Sequence, residues 1–389
     1  MSHPATPGPP AAHDGGDTGG DTGRTGNGLR IVVVGATGNA GTSVLRALAA
    51  EPRVGSVLGL ARRVPREWTP AKTTWVSADI TGESDGAMGG SADLAALFRG
   101  ADAVIHLAWL FQPTHAPSVT WRTNVLGSLR VFRAAAEAGV PALVYASSVG
   151  AYSPGPKDRE VTEDWPTDGW PEAAYTREKA YLERCLDAYE REHPDMRVVR
   201  MRPGFLFQQE AAAEQRRLFA GPFVPGRLVR PGVVPAVPDL PGLRFQALHA
   251  DDAAAAYCTA ATDGRAHGPY NLAAEPVIDA AVLSRLLDGA RVLRLPARTV
   301  RSVLAAGWHA HLLPASPQLF DAVLRLPLMD TSRARRELGW SPRWSAEDAV
   351  GEFLAGLRNV REGETPTLAR RAPGGGRVRE LLTGVGQRP

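Results

Sequence analysis

The stretch "EAAYTREKAYLERC" carries a phenol at Tyr175 and an ammonium at Lys179. Residues four apart share one face of a helix, so the two side chains can be neighbours. A free phenol ionises near pH ~10, and a positive charge beside it favours phenolate. Tyr175 can then take a proton from a hydroxyl or give one to a carbonyl oxygen, with Lys179 tuning the exchange. The same spacing is common on ordinary amphipathic helices, where it only packs, so the pair needs partners elsewhere in the chain.

A second constellation is "VVVGATGNAG", with glycines at 35, 38 and 41. It lies between the apolar, β-branched run "LRIVVV" and a segment with helical spacing at Val44, Leu45 and Leu48. A turn without side chains lets the backbone approach a pyrophosphate, whose charge is met by unpaired amides and the helix dipole. Gly35, Thr37, Gly38, Asn39, Ala40 and Gly41 form the expected cradle, with Gly41 permitting close helix–strand packing. NAD is read by a carboxylate about 20 residues further on, at the end of the second strand. Here "LGLARRV" has Ala61 in that place, followed by Arg62 and Arg63. An arginine there pairs with a 2′-phosphate, which favours NADP and leaves NAD open; both arginines could also be plain surface charges. Asp79 of "SADI", followed by Ile80, is placed to accept a hydrogen bond from an adenine amino group, or only to cap its own turn.

These groups need a scaffold that brings strand ends together. The runs "VGSVLGLA", "TTWVSADI", "ADAVIHLAW", "PALVYASSV" and "RVVRMRPG" have helical segments such as "SADLAALFRG" and "SLRVFRAAAEAG" between several of them. Such alternation predicts an α/β fold, a Rossmann-type doubly wound parallel sheet covered on both faces. From about Phe207, "EQRRLFAGPFVPGRLVRPGVVPAVPDLPGLR" is dense in proline and glycine, which predicts a smaller, loop-rich C-terminal substrate-binding lobe. The expected division is a disordered tail over 1–28, an NAD(P)-binding domain over 29–206, the lobe mainly over 207–360 with segments returning to the core, and a flexible tail over 361–389.

The order of "VIHLAW", "TNVLGS", "YASSVGAY", "YTREK" and "RMRPG" resembles the extended short-chain dehydrogenase/reductase family, the NAD(P)-dependent epimerase/dehydratase group. The likeness continues through "ALHADDAAAAY", "GPYNLAAEP" and "MDTSRARRELGWSP", and spans Leu29 to Leu357. The resemblance implies a site between the two domains, with Ser148, Tyr175, Lys179 and the helix asparagine Asn124 as catalytic residues. Ser148 would hydrogen-bond the substrate oxygen, with Ser147 its structural neighbour. It further implies Leu107, Ala108, Trp109, Tyr175, Lys179 and Pro203 at the cofactor, and Gln112, Ser148 and Gly204 at the substrate. A homodimer is a family-level expectation.

Departures from the family pattern narrow the chemistry. Dehydratases carry an Asp-Glu pair after the catalytic Ser or Thr, where this chain has Val149 and Gly150. Neither Cys185 nor Cys258 is placed to exchange a substrate proton. An NADP-dependent reductase or dehydrogenase is therefore favoured; the alternatives are a nucleotide-sugar 4-epimerase and, from another class, an NADP-binding regulator with altered catalysis. Trp109, Phe111, Gln112 and His115 follow the fourth strand and could floor an apolar pocket or only pack the lobe. Arg216, Arg217, Arg227 and Arg230 could clamp a diphosphate or be solvated. His249, Asp251 and Asp252 are expected to be structural or close to the substrate, with no metal role.

Composition excludes other classes. With a formal charge of +3 and no basic stripe interleaved with aromatics, the 389-residue chain does not present a nucleic-acid surface. Two cysteines without metal-ligand spacing make a disulfide framework or zinc site unexpected. The polar N-terminus has no signal-peptide core, and no apolar run approaches a membrane span. The expectation is a soluble cytoplasmic enzyme acting on a small molecule.

Overall fold

The computed structural model describes Met1 and residues 28–82, 92–112, 114–219, 234–359 and 363–368. Its central sheet has seven strands: β1 (Leu29–Val34), β2 (Val54–Ala61), β3 (Thr73–Ser77), β4 (Ala103–His106), β5 (Ala142–Ala146), β6 (Arg197–Pro203) and β7 (Gly268–Leu272). All pair in parallel, in the spatial order β7-β6-β5-β4-β1-β2-β3.

The β-branched residues of β1 are buried on both faces, as a covered parallel sheet requires. Ile31 and Val33 pack with Val44, Leu45 and Leu48 of the Asn39–Ala50 helix and with the alanine-rich Ala250–Thr262 helix. Val32 and Val34 face Phe98, Val131, Phe132 and Leu182 on the opposite side. Strand order reverses between β1 and β4, so their C-terminal ends diverge and open a crevice. The glycine turn leaves β1 at that crevice, and the Leu107–Phe111 segment leaves β4 there.

Beyond β6 the chain builds short parallel pairs, Phe205–Phe207 with Ala247–His249 and Ala236–Asp239 with Arg291–Arg294. Helices Ala212–Phe219, Ala297–His309 and Pro317–Val323 stand beside them. The described parts of the proline-rich segment thus hold a helix and a strand. Its first residues, Glu214–Phe219, contain neither Pro nor Gly and continue a helix that buries Ala212 and Leu218. Arg227 and Arg230 lie outside the described residues, as does most of both expected tails. His249 accepts the Asp251 amide at the start of the Ala250–Thr262 helix and stacks on Trp344 at 4.4 Å. Asp252 accepts the Trp344 amide, so this motif ties the C-terminal segment to the sheet. No helix among the described residues is long and apolar enough to cross a membrane.

Candidate active site

A cleft of about 720 Å³ opens at the ends of β1 and β4. At its floor Gly35 has φ +87°, and a Cβ there would lie 2.5 Å from the Ala108 amide nitrogen. A Cβ on Gly41 would meet the Gly35 carbonyl oxygen at 2.5 Å, whereas Gly38 has only that oxygen nearby, at 3.6 Å. Gly35 and Gly41 therefore serve the turn and the packing, and Gly38 leaves space on the cleft side. No side chain caps the helix that begins at Asn39, so its first N–H groups remain for an anion. Thr37, Asn39 and Ala40 line the same wall.

At the far end of this wall β2 finishes at Ala61, and Arg62 and Arg63 border the cleft. Arg62 is exposed, and its guanidinium has no partner among the described residues. Arg63 is half-buried and engaged. Asp79 accepts the Thr81 amide at 2.8 Å while lining the cleft with Ile80.

Tyr175 sits in the first turn of the Ala174–Glu192 helix. Its ring stacks on Phe111, with centroids 5.1 Å apart, and meets Trp109 edge-on at 5.7 Å. Burial raises the phenol to a pKa of about 12, against a smaller downward pull from the Ser148 hydrogen bond. Ser148 follows the end of β5, and its Oγ accepts the Gly150 amide at 3.0 Å. A Cβ on Gly150 would lie 2.6 Å from the Tyr175 ring, so a glycine there leaves room for the phenol.

Lys179 lines the same cleft as Tyr175. It donates to the Ala146 carbonyl at 2.6 Å and stands 3.5 Å from the centroid of Trp109. Burial lowers its pKa well below that of an ordinary lysine, and Glu178 and Glu183 only partly oppose this.

Two other expected site residues are placed behind the cleft. Asn124 lies in a π-helical turn, Arg122–Leu126. Its Oδ1 accepts the Leu110 amide at 2.7 Å, and its Nδ2 donates to the Leu110 carbonyl at 2.8 Å and to Glu178 at 2.7 Å. It therefore pins the loop that carries Trp109 and Phe111, instead of meeting a ligand. Gln112 donates to the carbonyls of Leu218 and Pro314 and accepts the Thr114 amide, which spends its amide on holding the lobe. His115 is stacked between Trp308 at 4.0 Å and His311 at 4.3 Å, again as packing. Pro203 and Gly204 do border the cleft, as do Leu107, Ala108 and Trp109.

Ser147 is held from below. Its hydroxyl donates to Glu183 at 2.5 Å, and Arg202 meets both oxygens of Glu183 at 2.9 Å. Arg200 reaches Glu183 at 3.2 Å and also pairs with Asp187 and Glu190. Burial pushes the Glu183 carboxyl up, but the two arginines and Ser147 outweigh it and hold the pKa at about 2, against 4.5 ordinarily. The stabilisation is complete above the ordinary value and drains away as pH falls through about 2. Replacing Glu183 by Gln leaves buried guanidinium groups under-compensated. Urea unfolding at neutral pH is expected to show a loss of about 3–5 kcal/mol.

Several lining residues carried no sequence signal. Phe219, Leu304, Leu319 and Phe320 complete the wall beyond Tyr175. Thr365, from the expected C-terminal tail, donates to the Thr37 carbonyl at 2.8 Å, and the Thr367 hydroxyl lies 3.0 Å from that of Thr37. A short strap thus seats on the glycine turn.

The fold and this cleft define a nucleotide-binding α/β protein. The NAD dependent epimerase/dehydratase family matches residues 31–273, and the chain belongs to it. Among curated relatives, Uncharacterized protein Rv0501 of Mycobacterium tuberculosis (strain ATCC 25618 / H37Rv) is 26% identical over 261 residues, covering 66% of this chain and 65% of the relative. Uncharacterized protein Rv2047c of the same strain is 24% identical over 331 residues, 85% of this chain but 30% of the relative. The chain thus spans less than two thirds of the length of these relatives. Among solved structures, MoeE5 in complex with UDP-glucuronic acid and NAD is similar with a TM-score of 0.61 at 19% identity, over 86% of this chain and 100% of that one. UDP-glucose-4-epimerase from Stenotrophomonas maltophila, with bound NAD and formylated UDP-arabinopyranose, gives a TM-score of 0.63 at 20% identity, over 85% and 98%. At these identities the likeness is one of fold.

Proposed function

We propose that the chain is an NADP-dependent reductase or dehydrogenase that exchanges hydride at a carbonyl or carbinol, with Tyr175 as the proton donor or acceptor. The observation that carries this reading is that Ser148, Tyr175 and Lys179 line one cleft together with the glycine turn. A bound nicotinamide dinucleotide supplies or accepts the hydride. The first-turn amides after Gly38 hold its diphosphate, Arg62 its 2′-phosphate, and Asp79 with Ile80 its adenine. Leu107, Ala108, Trp109, Lys179 and Pro203 flank the remainder.

Ser148 orients the substrate oxygen beside Tyr175, and Asn124 keeps Trp109 and Phe111 in place behind it. Burial holds the phenol at about 12, so Tyr175 carries a proton at neutral pH that it can give to a carbonyl oxygen. Ala61 at the end of β2, where an acid would read NAD, and Arg62 directly after it support an exchangeable NADP over a permanently held NAD. The enzyme is read as cytoplasmic, with a homodimer as its assembly. Fluorescence titration of the purified protein checks the cofactor: NADPH is expected to bind more tightly than NADH, and equal affinities would remove the basis for the choice.

A further inference from the structure

Building on the proposed oxidoreductase function, we infer that the substrate is a largely hydrocarbon carbonyl compound, an aryl or alicyclic ketone or its carbinol, and not a nucleotide sugar. Past the Tyr175 hydroxyl, the cleft is walled by Phe111, Phe219, Leu304, Leu319, Phe320 and Leu326. These come from four separate places: the segment after β4, the end of the Ala212–Phe219 helix, the Ala297–His309 helix, and the Pro317–Val323 helix with the residues after it. Phe111 stacks on Tyr175 and receives Phe219 edge-on at 5.6 Å, so one aromatic surface runs from the phenol ring through Phe111 to Phe219. Phe219 keeps 39% of its surface exposed there, an area that an apolar ligand would cover.

Among the described residues, the polar groups near this wall are already committed. Gln215 donates to the Leu206 carbonyl at 2.6 Å. Glu214 is buried, and it and Arg216 both have partners. Gln112 is turned onto the Leu218 and Pro314 carbonyls, and His115 is locked between Trp308 and His311. A hexose would bring several hydroxyls against this surface, and each one left unpaired costs roughly ten- to a hundredfold in affinity. A diphosphate asks for free cations. Among the described residues, the unpaired guanidinium of Arg62 stands at β2, at the other end of the cleft. A hydrocarbon skeleton needs neither, and a single carbonyl oxygen can be met by Tyr175 and Ser148.

The chemistry balances with one co-reactant, a reduced nicotinamide dinucleotide. The carbonyl carbon gains a hydride from it, and the oxygen gains the Tyr175 proton. The C=O bond becomes CH–OH, two electrons leave the dinucleotide, and Tyr175 recovers its proton from water.

The test uses the full chain saturated with NADP⁺, with α-tetralone and UDP-glucose titrated separately by calorimetry and NADPH binding measured in parallel. α-Tetralone is expected to bind and UDP-glucose not to. Phe320→Asp and Phe219→Ala should each weaken α-tetralone at least tenfold while leaving the NADPH dissociation constant unchanged. Phe219 is partly exposed, so its variant keeps the test open if Phe320→Asp fails to fold. Tighter binding of UDP-glucose than of α-tetralone, or no binding of α-tetralone, overturns the substrate inference while NADPH binding leaves the oxidoreductase function standing. Failure to bind NADPH overturns both.

Discussion

Tyr175→Phe is expected to lower kcat by roughly 10²–10⁴-fold, the range of a lost general acid, while NADPH still binds as it does to the unaltered protein. The substitution removes one oxygen and keeps the ring, so the stack on Phe111 and the edge contact with Trp109 survive. Ser148 retains its bond from the Gly150 amide, so the turn that presents it does not depend on the phenol. The variant thus separates proton transfer from architecture. A fall in kcat with an unchanged dissociation constant assigns the proton to Tyr175. Retained turnover would place the acid elsewhere.

Arg62→Ala is expected to weaken NADPH by roughly ten- to a hundredfold, the equivalent of one charge-assisted hydrogen bond of about 1.5–3 kcal/mol, without altering NADH. Arg62 is exposed and its guanidinium has no partner among the described residues, so its removal leaves no buried charge behind. Its only effect on affinity should pass through the 2′-phosphate. Arg63→Ala is the internal comparison: Arg63 is already engaged, and a smaller loss follows. Parallel titrations of both dinucleotides read the difference directly. Equal weakening of NADPH and NADH would mean that Arg62 acts on the fold or on the shared diphosphate.

The parts of the site legible in the sequence are those where chemistry coincides with an element boundary. The glycine turn lies between a β-branched strand and a periodic helix, and Ala61-Arg62 ends the second strand; these are local patterns. Tyr175, Lys179 and Ser148 were approached through motif order, and the fold brings all three to one cleft. Their electrical relation was not legible. Whether an ammonium faces a phenol or a backbone carbonyl depends on side-chain direction, and Lys179 takes the Ala146 carbonyl and the Trp109 face.

Asn124 and Gln112 show a second limit. An amide side chain both donates and accepts, so it serves a loop as readily as a ligand. In each case backbone groups of a distant segment take it up, and no local spacing reports that. The apolar wall is hidden for a different reason. Phe219, Leu304 and Phe320 lie on short amphipathic helices far apart in sequence, where each looks like an ordinary packing residue. The strap of Thr365 and Thr367 lies in a stretch whose composition suggests only a tail, and its hydrogen bonds to the glycine turn are visible only in three dimensions.

The most direct measurement follows the hydrogen itself. The protein is incubated with NADPH carrying two deuteriums at the nicotinamide C4 position and with α-tetralone, and the product carbinol is weighed by mass spectrometry. The proposed function predicts one deuterium on the carbinol carbon for each NADPH consumed, and loss of that transfer in Tyr175→Phe. Unlabelled carbinol, or label transfer undiminished in Tyr175→Phe, would contradict it.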